Sequence, residues 1–471
     1  MKMYINGNWA TGKSQMEIRN PYTGEAFDSV PAATVEDVDV AIKSAERGAR
    51  AMRALSSFDR YEILTRAVAL LNERKQDLGE TITREEGKVL SEGLLEVDRC
   101  IQTMTWSAEE AKRLFGETIP LDAAPGNEMK FGFTVRVPVG VVAAVTPFNF
   151  PLNLVAHKVG PAIAAGNSVV IKPASDTPLS ALKLTEILLD AGLPAEAIQC
   201  ITGSGSTIGD AVVSHPLIRK VTFTGSQEIG EHITRTAGLK KVTMELGSNS
   251  PLIVMADADI EKVALATVQN GYANAGQACI STQRVYVDKA IYADYLDALS
   301  SKVSALTSGD PMAATVKVGP MVRESDAIRV ESWINEAVSS GARLVAGGGR
   351  DGAVLSPSVL ADVHPDMKVS REELFGPAVA VTPIDGITEA IKYANDTRFG
   401  LSAAVFTENI DNAMRFALEV HSGNININGG TQFRADHMPY GGLKDSGTGK
   451  EGPRYAVEEM TELKMVIIHR S

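Results

Sequence analysis

Between residues 139 and 247 the chain alternates short apolar runs with helix-length stretches, and this rhythm constrains the fold more than any other feature. The apolar runs fall at 139–145, 168–171, 198–202, 220–224 and 242–246. Helical spacing fills 152–165, 179–191, 207–214 and 227–237 between them. Strands separated by helices of that length predict right-handed βαβ units and a parallel sheet. A second alternation, with strands near 252–255, 285–287, 378–383, 403–407 and 424–427, predicts another α/β unit. Ahead of both, apolar residues recur at threes and fours through 35–55, 61–78 and 92–115, which read as helices. Residues 131–137 alternate between flanking prolines and read as one strand of a hairpin. Residues 463–469 read as a closing strand that pairs with another segment or subunit. In open parallel sheets ligands gather beyond the carboxyl ends of the strands, so the turns there carry the expected chemistry.

Composition narrows the function classes. A chain of 471 residues predicts roughly two to four domains, and 44% apolar with 22% charged residues is a globular balance. The net charge of -12 repels phosphate backbones and anionic lipid, so neither nucleic acid nor a membrane is an expected partner. An anionic substrate would need a local basic pocket set against that field. Residues 1–7 lack the apolar core of a secretory signal, and Cys100, Cys200 and Cys279 lie far apart with no metal-ligand spacing. That predicts a reducing compartment, the cytoplasm, and no metal site.

Five small-residue turns stand at predicted strand ends or between elements: Thr146-Pro147-Phe148-Asn149, Ile171-Lys172-Pro173-Ala174-Ser175, Phe223-Thr224-Gly225-Ser226, Glu245-Leu246-Gly247 and Gly276-Gln277-Ala278-Cys279-Ile280-Ser281. Each lets backbone approach a ligand closely. Cys279, with Gly276 and Ala278 just before it, is a reachable thiol, and a thiolate is a good nucleophile toward a carbonyl. Cys100 and Cys200 fall in a helical stretch and a strand, and read as inert core residues. Two later segments, Glu372-Glu373-Leu374-Phe375-Gly376-Pro377 and Pro439-Tyr440-Gly441-Gly442-Leu443-Lys444-Asp445-Ser446-Gly447, complete the set.

In this order the seven segments resemble the aldehyde dehydrogenase superfamily over essentially the whole chain. The likeness is greatest to the branch that includes lactaldehyde, non-phosphorylating glyceraldehyde-3-phosphate and phosphonoacetaldehyde dehydrogenases. The resemblance implies an α/β fold with a Rossmann-like dinucleotide-binding domain at 1–118 and 138–246 and an α/β catalytic domain at 247–446. A small β element at 119–137 and 456–471 is implied to assemble a homodimer or homotetramer. It implies Cys279 as nucleophile, Glu245 as the base for thiol or water, and Asn149 as an oxyanion donor alongside the Cys279 N–H. It also implies NAD or NADP as cofactor, with Lys172 on the adenosine ribose and Ser226 and the helix opening behind it on the pyrophosphate. Free N–H groups and the dipole at a helix start suit that phosphate role independently. Glu373 is implied to bind the nicotinamide ribose, with Phe375 packed near it. Thr146, Pro147, Phe148, Ser175, Gly205, Gly209, Phe223, Gly225 and Gly247 line the rest of the cofactor site by the same resemblance.

Two positions depart from the pattern. Ser175 stands where many NAD-preferring relatives carry a Glu, so a 2'-phosphate is not repelled there, although Asp176 adjoins it. Ser248-Asn249 replaces the commoner Gly-Lys after Gly247, which predicts a slightly shifted turn beside the base. Arg99, Arg284 and Arg434 fall in segments that approach the aldehyde tunnel in relatives, and are candidates to grip an anionic substrate. His157 and His437 read as structural. Glu245 argues against a coenzyme A-acylating relative. Asn149, Glu245 and Cys279 together argue against a non-catalytic protein on this fold. A cysteine hydrolase would need a histidine near Cys279.

Overall fold

A computed structural model describes residues 1–470. Five parallel strands, Ile198–Cys200, Ser168–Lys172, Val141–Val145, Ile218–Thr224 and Lys241–Glu245, lie side by side in that order. Met3–Ile5 with Asn8–Ala10 extends one edge and Gly447–Thr448 the other, both antiparallel, to give eight strands. Every residue of Ser168–Lys172 is buried, as a strand covered on both faces requires. On one face pack helices α2 (Ser57–Glu73), α3 (Lys75–Glu86), α4 (Leu90–Ala111), α5 (Asn153–Ala164) and α6 (Leu179–Asp190). On the other lie α1 (Val35–Ala54), α7 (Gly205–Ser214) and α8 (Gln227–Ala237).

A second sheet runs Arg343–Ala346, Ser358–Ala361, Ala378–Ile384, Arg284–Asp288, Pro251–Val254, Ser402–Phe406, Asn424–Ile427. Only its first pair is antiparallel. A third, three-stranded sheet sets Thr461–His469 antiparallel to Lys130–Pro138 over nine residue pairs, with Thr118–Ile119 beyond. Its strand Thr461–His469 leaves Leu463, Met465, Ile467 and Ile468 exposed.

The helix expected over 61–78 is two. Arg74 leaves helical geometry (φ -95, ψ 15) and separates α2 from α3. The apolar rhythm crosses the break because Leu71, Leu78 and Ile82 enter one core. Ser358–Ala361 escapes sequence reading because four fully buried residues show no alternation.

Candidate active site

The strand register gathers the turns. Val145 pairs with Lys172 and with Phe223, and Thr224 with Glu245, so these strands end level at one sheet edge. The segments that follow line a cleft of about 410 Å³, formed among others by Pro147, Phe148, Asn149, Ser226, Glu245, Gly247, Cys279, Glu373 and Phe375.

The cysteine loop reaches this cleft through strained backbone. Asn274 (φ 51) and Ala275 (φ 52) are both left-handed, a conformation costing a β-carbon-bearing residue about 1–2 kcal/mol. Hydrogen bonds hold it there. The Asn274 N–H donates to Glu92 Oε2 at 3.0 Å, and Asn274 Nδ2 donates to the Asn149 carbonyl at 3.0 Å. Asn149 Nδ2 in turn donates to the Gln277 carbonyl at 2.9 Å. Gly276 (φ +71) touches the other side of the cleft. A Cβ there would lie 2.1 Å from the Gly376 carbonyl oxygen, so only glycine lets the two loops meet.

Cys279 is half-buried, and its Sγ lies 3.2 Å from the Tyr440 hydroxyl. Burial pushes the thiol up to about 11, against the Tyr440 hydrogen bond and the Arg434 charge, which favour the thiolate. Glu245 is buried, and neither carboxylate oxygen has a hydrogen-bond partner. Burial first, then the Glu451 carboxylate, raise its pKa well above the usual carboxylate range. A buried carboxyl with both oxygens free can hold a proton or a water at neutral pH. Beside it Lys158 Nζ donates to Glu451 Oε1 at 2.6 Å and to Thr224 Oγ1 at 2.7 Å. Arg434 Nη2 donates to Glu451 Oε2 at 3.0 Å, its guanidinium lies 3.8 Å from the Tyr440 ring centroid, and its buried Nε has no partner. Two cations thus share the Glu451 carboxylate, which leaves local positive charge in an acidic protein.

The cofactor-side candidates divide. Glu373 accepts from the Ser248 N–H at 2.9 Å, and burial pushes its carboxyl up to about 7. A Cβ on Gly247 would come 2.3 Å from that carboxylate, so glycine makes room for it. Phe375, left-handed at φ 49, sets its ring edge-on to Phe148 at 5.8 Å. Lys172 donates to the Pro173 carbonyl at 2.8 Å, and burial lowers its pKa to about 8. Thr146 is buried with its hydroxyl unpartnered. Ser226 caps α8 with no side-chain bond, so the first-turn N–H groups stay free. Space beyond Gly209 is open, and Gly205 faces only Lys172 Cε at 3.9 Å. Glycine surfaces, a free helix start and an open cleft suit a dinucleotide. Ser175 donates to the Gly203 carbonyl at 3.2 Å, and Asp176 is held by Arg323, whose Nε donates at 3.1 Å. Phe223 is buried, and its ring supports Gly225 from beneath, where a Cβ would meet it at 2.4 Å.

The three arginines separate as well. Arg284 is the clear correction. It is buried in the second sheet and donates to the carbonyls of Asn249 (2.7 Å), Tyr393 (3.0 Å) and Ala394 (3.4 Å) and to the Tyr286 hydroxyl (3.1 Å). It secures the turn after Gly247 and offers a substrate nothing. Arg99 sits near Phe150 with Nε and Nη2 on Asp436, leaving Nη1. Only Arg434 adjoins Cys279, through Tyr440. His157 is buried against Asp436 and His437 stacks on Trp106 at 4.8 Å, the structural places expected of them. Sequence reading passed over Tyr440, Lys158 and Glu451, although Tyr440 stood inside a quoted motif. Arg329 and Trp333, in the cleft wall, come from a helix with no motif at all.

The aldehyde dehydrogenase family profile matches residues 9–466. The chain is 47% identical to the 3-sulfolactaldehyde dehydrogenase of Priestia aryabhattai over 467 residues, covering 99% of this chain and 98% of that one. Aldehyde dehydrogenase 21 of Physcomitrella patens, solved with the reaction product succinate, is 38% identical with a TM-score of 0.97, covering 99% and 98%. The glyceraldehyde-3-phosphate dehydrogenase of Methanocaldococcus jannaschii, solved with NADP, is 37% identical with a TM-score of 0.93, covering 97% and 99%. This chain belongs to the aldehyde dehydrogenase family and is an NAD(P)-dependent oxidoreductase. Among the described residues no cluster of metal-ligating side chains occurs and no helix is long and apolar enough to cross a membrane.

Proposed function

We propose that the enzyme oxidises a small aldehyde carrying an anionic group to its carboxylate, through a thioester on Cys279. The observation that carries the anion is Arg434: buried, charged, its Nε unpartnered, one ring away from the thiol. The similar proteins named for sulfolactaldehyde and glyceraldehyde 3-phosphate, and the one solved with succinate, handle compounds with sulfonate, phosphate and carboxylate groups. A guanidinium donates well to all three. In this reading the Cys279 sulfur bonds to the aldehyde carbon, and the oxyanion sits on the second Asn149 Nδ2 hydrogen and the Cys279 N–H. NAD(P), held by the residues named below, would supply the acceptor for the hydride that leaves the substrate carbon. Glu245 then takes a proton from the water that cleaves the thioester, releasing carboxylate and the thiol. Lys172, Ser226 and Glu373 would hold the cofactor, with Thr146, Pro147, Phe148, Gly225 and Phe375 about it. Ser175, and Asp176 already paired with Arg323, leave NADP admissible beside NAD. The exposed apolar strand Thr461–His469, with Phe131 opposite, supports a homo-oligomer in which the third sheet is the platform.

The test is a comparison of kcat/KM for 3-sulfolactaldehyde, lactaldehyde, glyceraldehyde 3-phosphate and propanal with both cofactors. An anion bonded by Arg434 should favour one of the charged aldehydes over propanal by about tenfold or more. Equal values for all four would remove the anion from the proposal.

A further inference from the structure

Tyr440 is fully packed, so its hydroxyl has few places to go. The ring is 2% exposed, one face is covered by the Arg434 guanidinium at 3.8 Å, and the backbone on either side is fixed by a reciprocal pair of hydrogen bonds between Tyr440 and Glu451 (3.1 and 2.7 Å). The hydroxyl oxygen ends 3.2 Å from Cys279 Sγ, and no other hydrogen-bond partner of that oxygen is present among the described residues. The sulfur likewise has no other side-chain partner there. A phenol whose ring is clamped and whose single polar contact is the attacking atom is placed to act on that atom's charge. We propose that Tyr440 is a catalytic residue: its hydroxyl donates a hydrogen bond to the Cys279 thiolate and so increases the fraction of nucleophile ready at neutral pH, with Arg434 holding the ring in place.

The physical case rests on an asymmetry between the two protonation states. A neutral thiol is a weak hydrogen-bond partner in either direction, whereas a thiolate is a strong acceptor. The hydroxyl therefore stabilises the charged form more than the neutral one and works against the burial that disfavours it. The stacked guanidinium adds in the same sense: its charge draws electron density through the ring face and makes the hydroxyl a stronger donor, while burial, together with the charge of the neighbouring thiolate, raises the phenol and keeps its proton in place. The groups facing the sulfur from the surrounding elements are Tyr440, Arg434, Glu245 and Glu373; the first two favour the thiolate and the two carboxylates oppose it. Glu451, Lys158 and Lys450 act at one remove, through Glu245. The proposal rests on Cys279 being the nucleophile, as set out above.

The experiment measures the rate of iodoacetamide alkylation of Cys279 against pH on the full-length enzyme, by mass spectrometry of the Cys279 peptide. Cys100 and Cys200, both buried, serve as unreactive internal references. In Tyr440→Phe, which keeps the ring and its stacking, the midpoint should rise by about one pH unit, so alkylation at neutral pH slows about tenfold while the alkaline limit is unchanged. Replacing Tyr440 by 3,5-difluorotyrosine, a stronger donor of nearly the same shape, should move the midpoint the opposite way. Arg434→Lys, which keeps the charge and loses the stack, should fall between parent and Tyr440→Phe. Coincident pH profiles for parent, Tyr440→Phe and the fluorinated protein overturn the proposal. Cys279→Ala separates this from the reading beneath it. If that variant still oxidises aldehyde, Cys279 is not the nucleophile and the function itself is misassigned. If it is inactive while the profiles coincide, only the role of Tyr440 falls.

Discussion

Two buried polar regions flank the turn after Glu245, and they are built to opposite rules. Around Arg284 all three guanidinium nitrogens are bonded, three of the four bonds going to backbone carbonyls. Around Cys279 both oxygens of Glu245, Nε of Arg434 and Oδ1 of Asn149 are all without partners. An unpaired buried polar atom costs about 1–3 kcal/mol, so a fold tolerates a cluster of them only where something else completes it. On the function proposed above, the saturated region is structural and the unsaturated one is where substrate, water and cofactor would be received. Residue type alone does not distinguish them, since each is centred on a buried arginine.

The largest effect that could break this contrast is on stability. Arg284→Met strands three carbonyls and should lower unfolding free energy by at least about 3 kcal/mol in denaturant titration, with KM unchanged in the protein that remains folded. A stable variant with a raised KM would exchange the roles of the two regions. Next in size, Asn149→Ala should lower kcat about a hundredfold with little change in aldehyde KM, because an oxyanion donor acts in the transition state. Because Asn149 also ties down the Gln277 carbonyl, a melting curve for the variant separates that structural share. Smaller again, Arg434→Ala should raise KM for an anionic aldehyde about tenfold more than for propanal, measured as a ratio within one preparation. Equal effects would place Arg434 with Arg284 among the structural residues. The mildest test is pH. The folded Glu245 pKa is raised, so the base is protonated, and turnover lost, as pH falls through that raised value. kcat should therefore decline at pH values where an ordinary glutamate, near 4.3, would still be ionised. A profile flat down to pH about 5 would mean Glu245 is ionised in its site and is not set apart by burial.

What the sequence disclosed follows from which interactions are local. The βαβ alternation from 139 to 247 and the strands near 252–255, 285–287 and 424–427 were legible because each run carries its own periodicity. The turns bearing Asn149 and Glu245 were legible because small residues cluster at strand ends, which the register brings level, and the Cys279 turn because small residues precede the thiol between a helix and a strand. What was hidden depends on distant pairing. Arg284 and Arg434 read alike until their partners are known, one set from Asn249, Tyr286, Tyr393 and Ala394 and the other from Glu451 and Tyr440. Lys158 lies in α5 as an unremarked helical lysine, and only the fold joins it to Glu451, 293 residues away. The break at Arg74 was masked by a shared core that keeps the apolar rhythm running across two helices.

The central claim is a covalent bond between Cys279 and the substrate carbon. Glu245→Gln, which leaves the thiol in place and removes the base, should accumulate the acyl-enzyme when given aldehyde and cofactor. Acid quenching and peptide mass spectrometry should then find the Cys279 peptide heavier by the acyl group, with Cys100 and Cys200 unmodified. An unmodified Cys279 peptide from a variant that has nonetheless reduced one equivalent of dinucleotide would contradict the account.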